Sequence, residues 1–252
     1  MTSTQTRRSA LAAAVVGAMV LALAAPPASA FQLVPISMEF EPTGVNATQT
    51  FGIFNDGQES IAVQVSIVTR SVAADGTETQ APADEDFTVY PSQAVVAPGK
   101  VQLVQVHWLG DPRPAKELAY RILAEQLKIE LAPRNTLGGR ITILMRYEGA
   151  IYVTPPGAQP SVSVESVSRV QTAEGPRLSV TVANKGTAHG ALDGPVLTVR
   201  GAGASIDLRD EALADLGGAN VLAGGRRQFL LPLPTALATG DLTATLKTGY
   251  VQ

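Results

Sequence analysis

The chain has 252 residues, no cysteine, two histidines, one tryptophan and a formal net charge of −3. Without cysteine no disulfide can form. The only two histidines, His107 and His189, lie in what look like different domains, and the sequence has no HxxEH-like or GxSxG-like spacing, so neither a zinc cage nor a catalytic triad is indicated. We therefore expect a protein that is not an enzyme and that requires neither a metal nor a cofactor.

The first 30 residues have the pattern of a secretory signal peptide. Arg7 and Arg8 precede an apolar, alanine-rich run that ends in the small-residue sequence PPASA. This pattern predicts cleavage after Ala30 and export, which in a bacterium leads to the periplasm. The paired arginines leave the twin-arginine route open beside the favoured Sec route. No later stretch is long and apolar enough to predict insertion into a membrane.

Removal of the signal peptide leaves 252 − 30 = 222 residues with 17 basic and 22 acidic side chains, because Arg7 and Arg8 are lost. The mature net charge is then 17 − 22 = −5. Mild acidity argues against nucleic acid as a partner. The length exceeds one β-sandwich of about 100 residues and fits two.

The first half of the mature chain consists of short segments in which apolar residues recur with a period of two. The predicted strands span 32–40, 48–55, 60–70, 87–96, 101–108, 120–131 and 141–153. Turn residues separate them about every 8–12 positions, which predicts an immunoglobulin-like β-sandwich. Residues 75–86 are polar and predict a loop. Residues 115–132 also match a helical period in part, but a lone helix would interrupt the sandwich, so we predict a strand there.

Residues 154–161, with the sequence TPPGAQPS, form a Pro-rich break between two regions of strand-like pattern. This break predicts a first domain at 31–154 and a second domain at 155–252. The second domain repeats the strand-and-turn pattern with smaller residues and more glycine. The predicted fold class is all-β, with two immunoglobulin-like sandwiches joined by a short linker.

The last predicted strand of the first domain is unusually long. Its 13 residues would extend roughly 43 Å, whereas a typical strand has about five or six residues. One face carries a row of apolar residues that only Gly149 interrupts: Ile141, Ile143, Met145, Tyr147, Ile151 and Val153. The same row also fits a strand whose apolar face simply lies in the core.

Four motifs occur in an order that resembles a known family. They are FNDG after the second strand, VYPSQAVVAPGKVQLVQV, IYVTPP at the end of the long strand, and VTVANKGTAHG in the second domain. Together they resemble the periplasmic chaperones of the chaperone–usher pathway, the PapD-like superfamily. The resemblance implies a boomerang arrangement of the two sandwiches, binding of pilus subunits during fimbrium biogenesis, and delivery of those subunits to an outer-membrane usher.

The resemblance also implies a role for the long strand. Family chaperones supply their seventh strand to a subunit that lacks its own last strand, which is a form of β-strand addition called donor-strand complementation. By this resemblance the donor residues are Ile141, Ile143, Met145 and Tyr147. The same apolar edge would allow self-association of the free protein.

A second implied feature is an anchor for the terminal carboxylate of the subunit. Family chaperones use two basic residues in the cleft between the domains, and the matching places hold Ser37 and Ala150, which are not basic. Arg121 and Arg146 lie nearby, and an arginine can bind a carboxylate with two parallel hydrogen bonds. These two arginines are the candidate anchors, with a salt bridge at the rim of the sandwich as the alternative for each.

Two other classes of protein remain as alternatives. A secreted adhesin or pilus subunit would also be built from sandwiches, but its surplus strand would be expected at the N-terminus rather than in mid-chain. A carbohydrate-binding module would need an exposed aromatic row or paired carboxylates. One tryptophan and an aromatic content of 5% argue against it.

Overall fold

A computed structural model describes residues 31–129 and 143–251. Within these ranges the chain is all β and contains no α-helix. Three short 3-10 helices lie at Val45–Ala47, Asp210–Leu213 and Thr235–Leu237. The predicted fold class is confirmed, since the strands form two β-sandwiches.

The first sandwich contains eleven of the described strands. They are β1 (Phe31–Val34), β2 (Ser37–Phe40), β3 (Thr48–Asn55), β4 (Ile61–Thr69), β5 (Ser71–Val72), β6 (Glu78–Thr79), β7 (Phe87–Tyr90), β8 (Gln93–Val96), β9 (Val101–Trp108), β10 (Leu118–Gln126) and β11 (Arg146–Val153). One sheet has the order β1-β3-β9-β7 and the other the order β2-β11-β10-β4-β8. Their facing apolar rows form one core, in which Phe51, Ile53, Val106, Ile122 and Ile151 are fully buried.

Two predicted strands each divide between the two sheets. The predicted strand 32–40 is β1 in one sheet and β2 in the other, with Pro35 at the break. The predicted strand 87–96 is likewise β7 and β8, with Pro91 at the break. The prediction of single strands was wrong here because proline has no N–H to donate to a strand ladder, so the pairing ends where each proline lies.

The ambiguous segment 115–132 contains a strand and no helix among its described residues. β10 lies in the middle of its sheet, where it pairs with β11 on one side and β4 on the other. Every second side chain of β10, namely Tyr120, Ile122 and Ala124, is buried in the core. This burial stabilises a strand more than the helix propensity of the segment stabilises a helix. The predicted loop at 75–86 was partly wrong, because β6 lies within it and pairs with β5 in a hairpin.

The second sandwich contains β12 (Val162–Thr172), β13 (Gly175–Asn184), β14 (Gly190–Gly201), β15 (Ala204–Leu208), β16 (Asn220–Val221), β17 (Arg226–Pro232) and β18 (Thr243–Val251). β12, β13 and β17 form one sheet. β14 pairs with β15, β16 and β18 in the other. Leu178, Val180, Leu197 and Leu231 are among the buried residues of its core. Residues 154–161, between the two sandwiches, contain no strand.

Gly149 interrupts the apolar row of β11 because the backbone there is tightly surrounded. A Cβ atom at this position would lie 2.7 Å from Cγ2 of Ile122 and 3.0 Å from the carbonyl oxygen of Ile36. Ile122 belongs to β10 and Ile36 to the connection between β1 and β2, and both flank β11, so neither can move without disturbing a sheet. A glycine here therefore allows the chain between β1 and β2 to pass directly beside β11.

We expect Gly149→Ala to lower the free energy of unfolding by about 2 kcal/mol through overpacking. Gly217→Ala is the matched control, because the atom nearest to its Cβ would be the carbonyl oxygen of Leu213 at 3.6 Å, an ordinary contact. Urea denaturation of the mature protein measures both. Equal effects of the two substitutions would contradict the close approach at Gly149.

Candidate functional site

The outer edge of β11 is only half covered. β2 pairs with it in parallel, but the register joins only Ala150–Val153 to Ser37–Phe40. On the opposite side β10 pairs with β11 from Arg146 to Val153. Among the residues described, Arg146–Gly149 have no strand partner on the side that faces away from β10. Their outward N–H and C=O groups are therefore available to another strand.

The apolar row on β11 passes from solvent into the core along the chain. Ile143 is 73% exposed, whereas Met145 and Tyr147 are partly buried against the core of the first sandwich. The ring of Tyr147 packs edge-on against that of Phe31 at 4.9 Å between centroids. Ile151 and Val153 are completely buried. Ile141, the other predicted donor residue, lies outside the described residues.

The strand itself is shorter than the predicted 141–153. Eight residues, Arg146–Val153, have strand geometry, while Ile143–Met145 precede it without strand pairing. The ladder with β10 ends there because Gln126 is the last residue of that strand, and its N–H donates to the Met145 carbonyl at 2.9 Å. Ile143 therefore extends beyond the paired part of its own sheet.

The structure places three of the residues considered for the carboxylate anchor, Ser37, Ala150 and Arg121, in a single row across the sheet. Ala150 is the register partner of Ser37 on β2 and of Arg121 on β10, and Arg121 is in turn the partner of Val68 on β4. Arg121 thus lies one strand away from the place that is basic in the resembling family. It lies on the sheet face away from the core, since Tyr120 and Ile122 on either side point inward.

Arg146 lies apart from this row. Its register partner is Glu125, four residues along β10 from Arg121, which corresponds to about 13 Å. Its guanidinium pairs with Glu125 at 3.5 Å and with Glu148 at 3.0 Å, and all three side chains are exposed. The two candidate arginines therefore do not form one site.

Arg121 instead shares a carboxylate with Arg70. Its Nε and Nη2 donate to the two oxygens of Glu78 at 2.8 and 2.7 Å. The Nε of Arg70, which directly follows β4, donates to Glu78 Oε2 at 2.8 Å. The three side chains are only 11–21% exposed. Sequence reasoning missed Arg70 and Glu78, because Glu78 lay in a segment predicted to be a solvated loop.

This cluster strongly favours an ionised carboxylate. Hydrogen bonds from Arg121, then the hydrogen bond from Gln80, and then the charge and hydrogen bond of Arg70 lower the pKa of Glu78 from 4.5 to about 2 against the opposing effect of burial. The same contact with Glu78 raises the pKa of Arg121. Two guanidinium groups and one carboxylate give the cluster a charge of +1.

Tyr152 connects the arginine cluster to the second sandwich. Its hydroxyl oxygen accepts hydrogen bonds from Arg70 Nη1 at 2.9 Å and from Asn220 Nδ2 at 2.7 Å. Its ring stacks on the imidazole of His189 at 3.9 Å between centroids. The joint between the sandwiches therefore begins at the end of β11, next to the arginine cluster.

Glu117 is the buried charge at the centre of that joint. Its carboxylate accepts hydrogen bonds from the backbone N–H of His189 at 2.9 Å and from the hydroxyl of Thr154 at 3.0 Å, and it lies 2.8 Å from His189 Nδ1. Its side chain is 1% exposed. Because each carboxylate oxygen has a partner, the buried charge is well compensated.

A cleft of about 600 Å³ opens between the sandwiches beside Arg70. Lys116, Glu117, Tyr120 and Arg226 line it, together with the chain at 222–225. The Nζ of Lys116 donates across the joint to the carbonyl of Ala223 at 3.1 Å. One side of the arginine cluster is therefore reached from this cleft.

The described ranges, 31–129 and 143–251, contain no group of three or more His, Asp or Glu side chains placed to hold a metal ion. They also contain no helix long and apolar enough to cross a bilayer.

By sequence the chain matches no protein-family model and no curated protein. By structure it is similar to the class 5 fimbriae chaperone CfaA, with 13% identity, a TM-score of 0.58, and coverage of 88% of this chain and 93% of that one. The chain has the two-sandwich fold of the fimbrial chaperones.

Two other solved structures support the same fold. A chain of the CsuC–CsuE chaperone–tip adhesion subunit complex from Acinetobacter baumannii has 14% identity, a TM-score of 0.58, and coverage of 86% and 98%. The Escherichia coli chaperone DraB has 14% identity, a TM-score of 0.51, and coverage of 89% and 96%. In each case nearly the whole of the other chain is covered, so both sandwiches are shared.

We expect the stabilising effect of Glu78 to depend on pH. Its pKa is lowered on folding, so its contribution is complete above about pH 4.5 and is lost as the pH falls toward about 2. Above that range wild type should be more stable than Glu78→Gln by about 2 kcal/mol, a value that allows for solvent screening. Urea midpoints between pH 2 and 6 measure this difference.

Glu174→Gln is the control for this experiment, because Glu174 pairs with Arg177 on an exposed surface. It should show no such pH-dependent difference. A difference for Glu78→Gln that stays constant across the range would contradict the role of the Glu78 charge.

Proposed function

We propose that this protein is a periplasmic chaperone that binds pilus subunits and stabilises them by donor-strand complementation before their delivery to an outer-membrane usher. The observation that carries the proposal is the free outer edge of β11, which continues into the exposed Ile143. The shared fold of fimbrial chaperones supports it, as does the chaperone–subunit complex named for one of the similar structures. Such a function requires no catalytic residue and no cofactor.

Strand addition at this edge makes good physical sense. A subunit strand laid against Ile143–Gly149 would gain main-chain hydrogen bonds of about 1 kcal/mol each, net of water. Full burial of the Ile143 side chain would add about 1.5–3 kcal/mol. Met145 and Tyr147 are already partly buried in the chaperone's own core, so Ile143 would bury the most additional apolar surface on binding. The backbone of all seven residues, Ile143–Gly149, would form the edge that pairs with the subunit strand.

The anchor for the subunit's terminal carboxylate is proposed to be Arg121 and not Arg146. Arg121 lies in the row of Ser37 and Ala150, at the end of the free edge where β2 begins to pair. A subunit strand that runs parallel to β11 from Ile143 would reach this row with its C-terminus. Arg146 lies at the opposite end, in exposed pairs that contribute little.

Periplasmic location rests on the predicted signal peptide at 1–30, and the usher is proposed as the next partner on the same family resemblance. In the absence of a subunit, the free edge of β11 also suits pairing with a second copy of the chain. The Pro-rich segment 154–161 is proposed as the linker between the two domains. The first domain would bind the subunit, and the second would border the cleft beside the anchor.

Ile143 tests the proposed strand capture. Replacing it with Asp should place a charge in the proposed interface and weaken subunit binding at least about 100-fold, because burial of an unpaired carboxylate costs several kcal/mol. Affinity purification from periplasmic extracts of the native cells measures the subunits that bind to each variant. We expect small secreted β-proteins with wild type and none with a folded Ile143→Asp variant.

Leu230→Asp is the matched control, since Leu230 is also an exposed aliphatic residue on a strand, but in the second sandwich. It should retain the subunits. Capture that is unaffected by Ile143→Asp would contradict donor-strand binding through β11.

The second prediction compares the two arginines. Arg121→Ala should weaken binding of the recovered subunit at least about tenfold, because hydrogen bonds between charged groups are lost. Arg146→Ala should change binding by less than about threefold, as expected for an exposed ion pair. Calorimetric titration with the subunit measures both. A larger effect at Arg146 would place the anchor at the far end of β11.

A further inference from the structure

We propose that Arg70 and Arg121 together form a carboxylate-binding site, and that Glu78 occupies it as an internal carboxylate until the terminal carboxylate of a subunit replaces it. This inference rests on the proposed function for the identity of the incoming group. It adds Arg70 to the anchor proposed at Arg121, and it identifies Glu78 as the carboxylate that fills the anchor site in the free protein.

Four side-chain hydrogen bonds surround the carboxylate of Glu78. Oε1 accepts hydrogen bonds from Arg121 Nε at 2.8 Å and from Gln80 Nε2 at 3.0 Å. Oε2 accepts from Arg121 Nη2 at 2.7 Å and from Arg70 Nε at 2.8 Å. Both oxygens thus have two donors from three side chains. This is a complete binding site for one carboxylate, built from parts of the chain that are far apart in sequence.

The two arginines of this site require a negative charge between them. Two guanidinium groups that are 80–89% buried would repel each other in the absence of an anion. The charge of Glu148 also acts on Arg121, but its carboxylate bonds to Gln80 and Arg146 instead. The site therefore needs an anion at all times, and Glu78 supplies it in the free protein.

The side chain of Glu78 can leave the site without a change in the fold. It belongs to the β5–β6 hairpin, whose tip is fixed to the second sandwich by a 2.6 Å hydrogen bond from the Gln228 N–H to the carbonyl of Ala74. The backbone is thus held in place, while the side chain is 21% exposed. Rotation of the side chain alone would bring its carboxylate into water.

An internal occupant gives the site a selectivity that two free arginines would lack. A dissolved anion must compete with a carboxylate that is permanently tethered beside the site. A subunit terminus that is already held by strand pairing along β11 is tethered as well, and its effective concentration reaches the millimolar range or above. The arginines would therefore bind a carboxylate that arrives with a paired strand and reject small anions in solution.

The experiment uses acetate as the probe and the mature full-length protein. Side-chain Nε–H signals of arginine are followed by NMR during acetate titration of wild type, Glu78→Ala and the control Glu174→Ala, with acetamide as the uncharged analogue. In Glu78→Ala we expect saturable shifts of the Arg70 and Arg121 signals with acetate only. We also expect a rise in Tm of about 4 °C at an acetate concentration of about ten times Kd.

Wild type and Glu174→Ala should show neither effect at the same acetate concentrations. Failure of acetate to bind Glu78→Ala, or equal binding by wild type, overturns the inference. Should Glu78→Ala not fold, Glu78→Gln is judged by the same two criteria. The outcome is separate from that of Ile143→Asp, which tests strand capture without altering these three side chains, so failure of one proposal does not imply failure of the other.

Discussion

The outer edge of β11 is free because β2 is short. The chain enters the first sandwich as β1 in one sheet, passes Pro35, and joins the second sheet as β2 for four residues only. Those four residues pair with the last four of β11 and leave the preceding part unpaired on that side. Because proline has no N–H to donate to a strand ladder, β2 can begin to pair with β11 only after Pro35. Strand addition and anchoring as proposed both follow from this one limit on pairing.

The sequence pattern predicts much of the fold because period-two alternation coincides with real strands. β3 and β9 have the predicted bounds, and β4 differs from its prediction by one residue at each end. The pattern could not show that the segments around Pro35 and Pro91 change sheets. Apolar and polar residues alternate on both sides of each proline, and this alternation does not depend on which sheet the strand joins. Sheet membership depends on long-range pairing, which alternation does not encode.

The site was only partly predictable, because it too depends on long-range strand pairing that the local sequence pattern does not encode. Ile143 is identifiable as an apolar residue in an overlong strand, but its exposure depends on where β10 and β2 end. Met145 and Tyr147 have the same sequence pattern, but their side chains pack against the core of the first sandwich. Arg70 and Glu78 could not be linked to Arg121 without the β4–β10 register and the hairpin that follows.

The register of Ala150 with Arg121 has a consequence for the comparison of distant relatives. Residues joined across a sheet share a face and a height, so a charge can move from one strand to its neighbour and still meet the same ligand atom. With the anchor proposed at Arg121, alignment by columns would show a basic residue lost at position 150 and an unrelated one gained at 121. Alignment by sheet rows would show one charge displaced by the width of a strand. For chains that share 13% of their residues with a solved structure, rows are therefore the better unit for tracing a binding group.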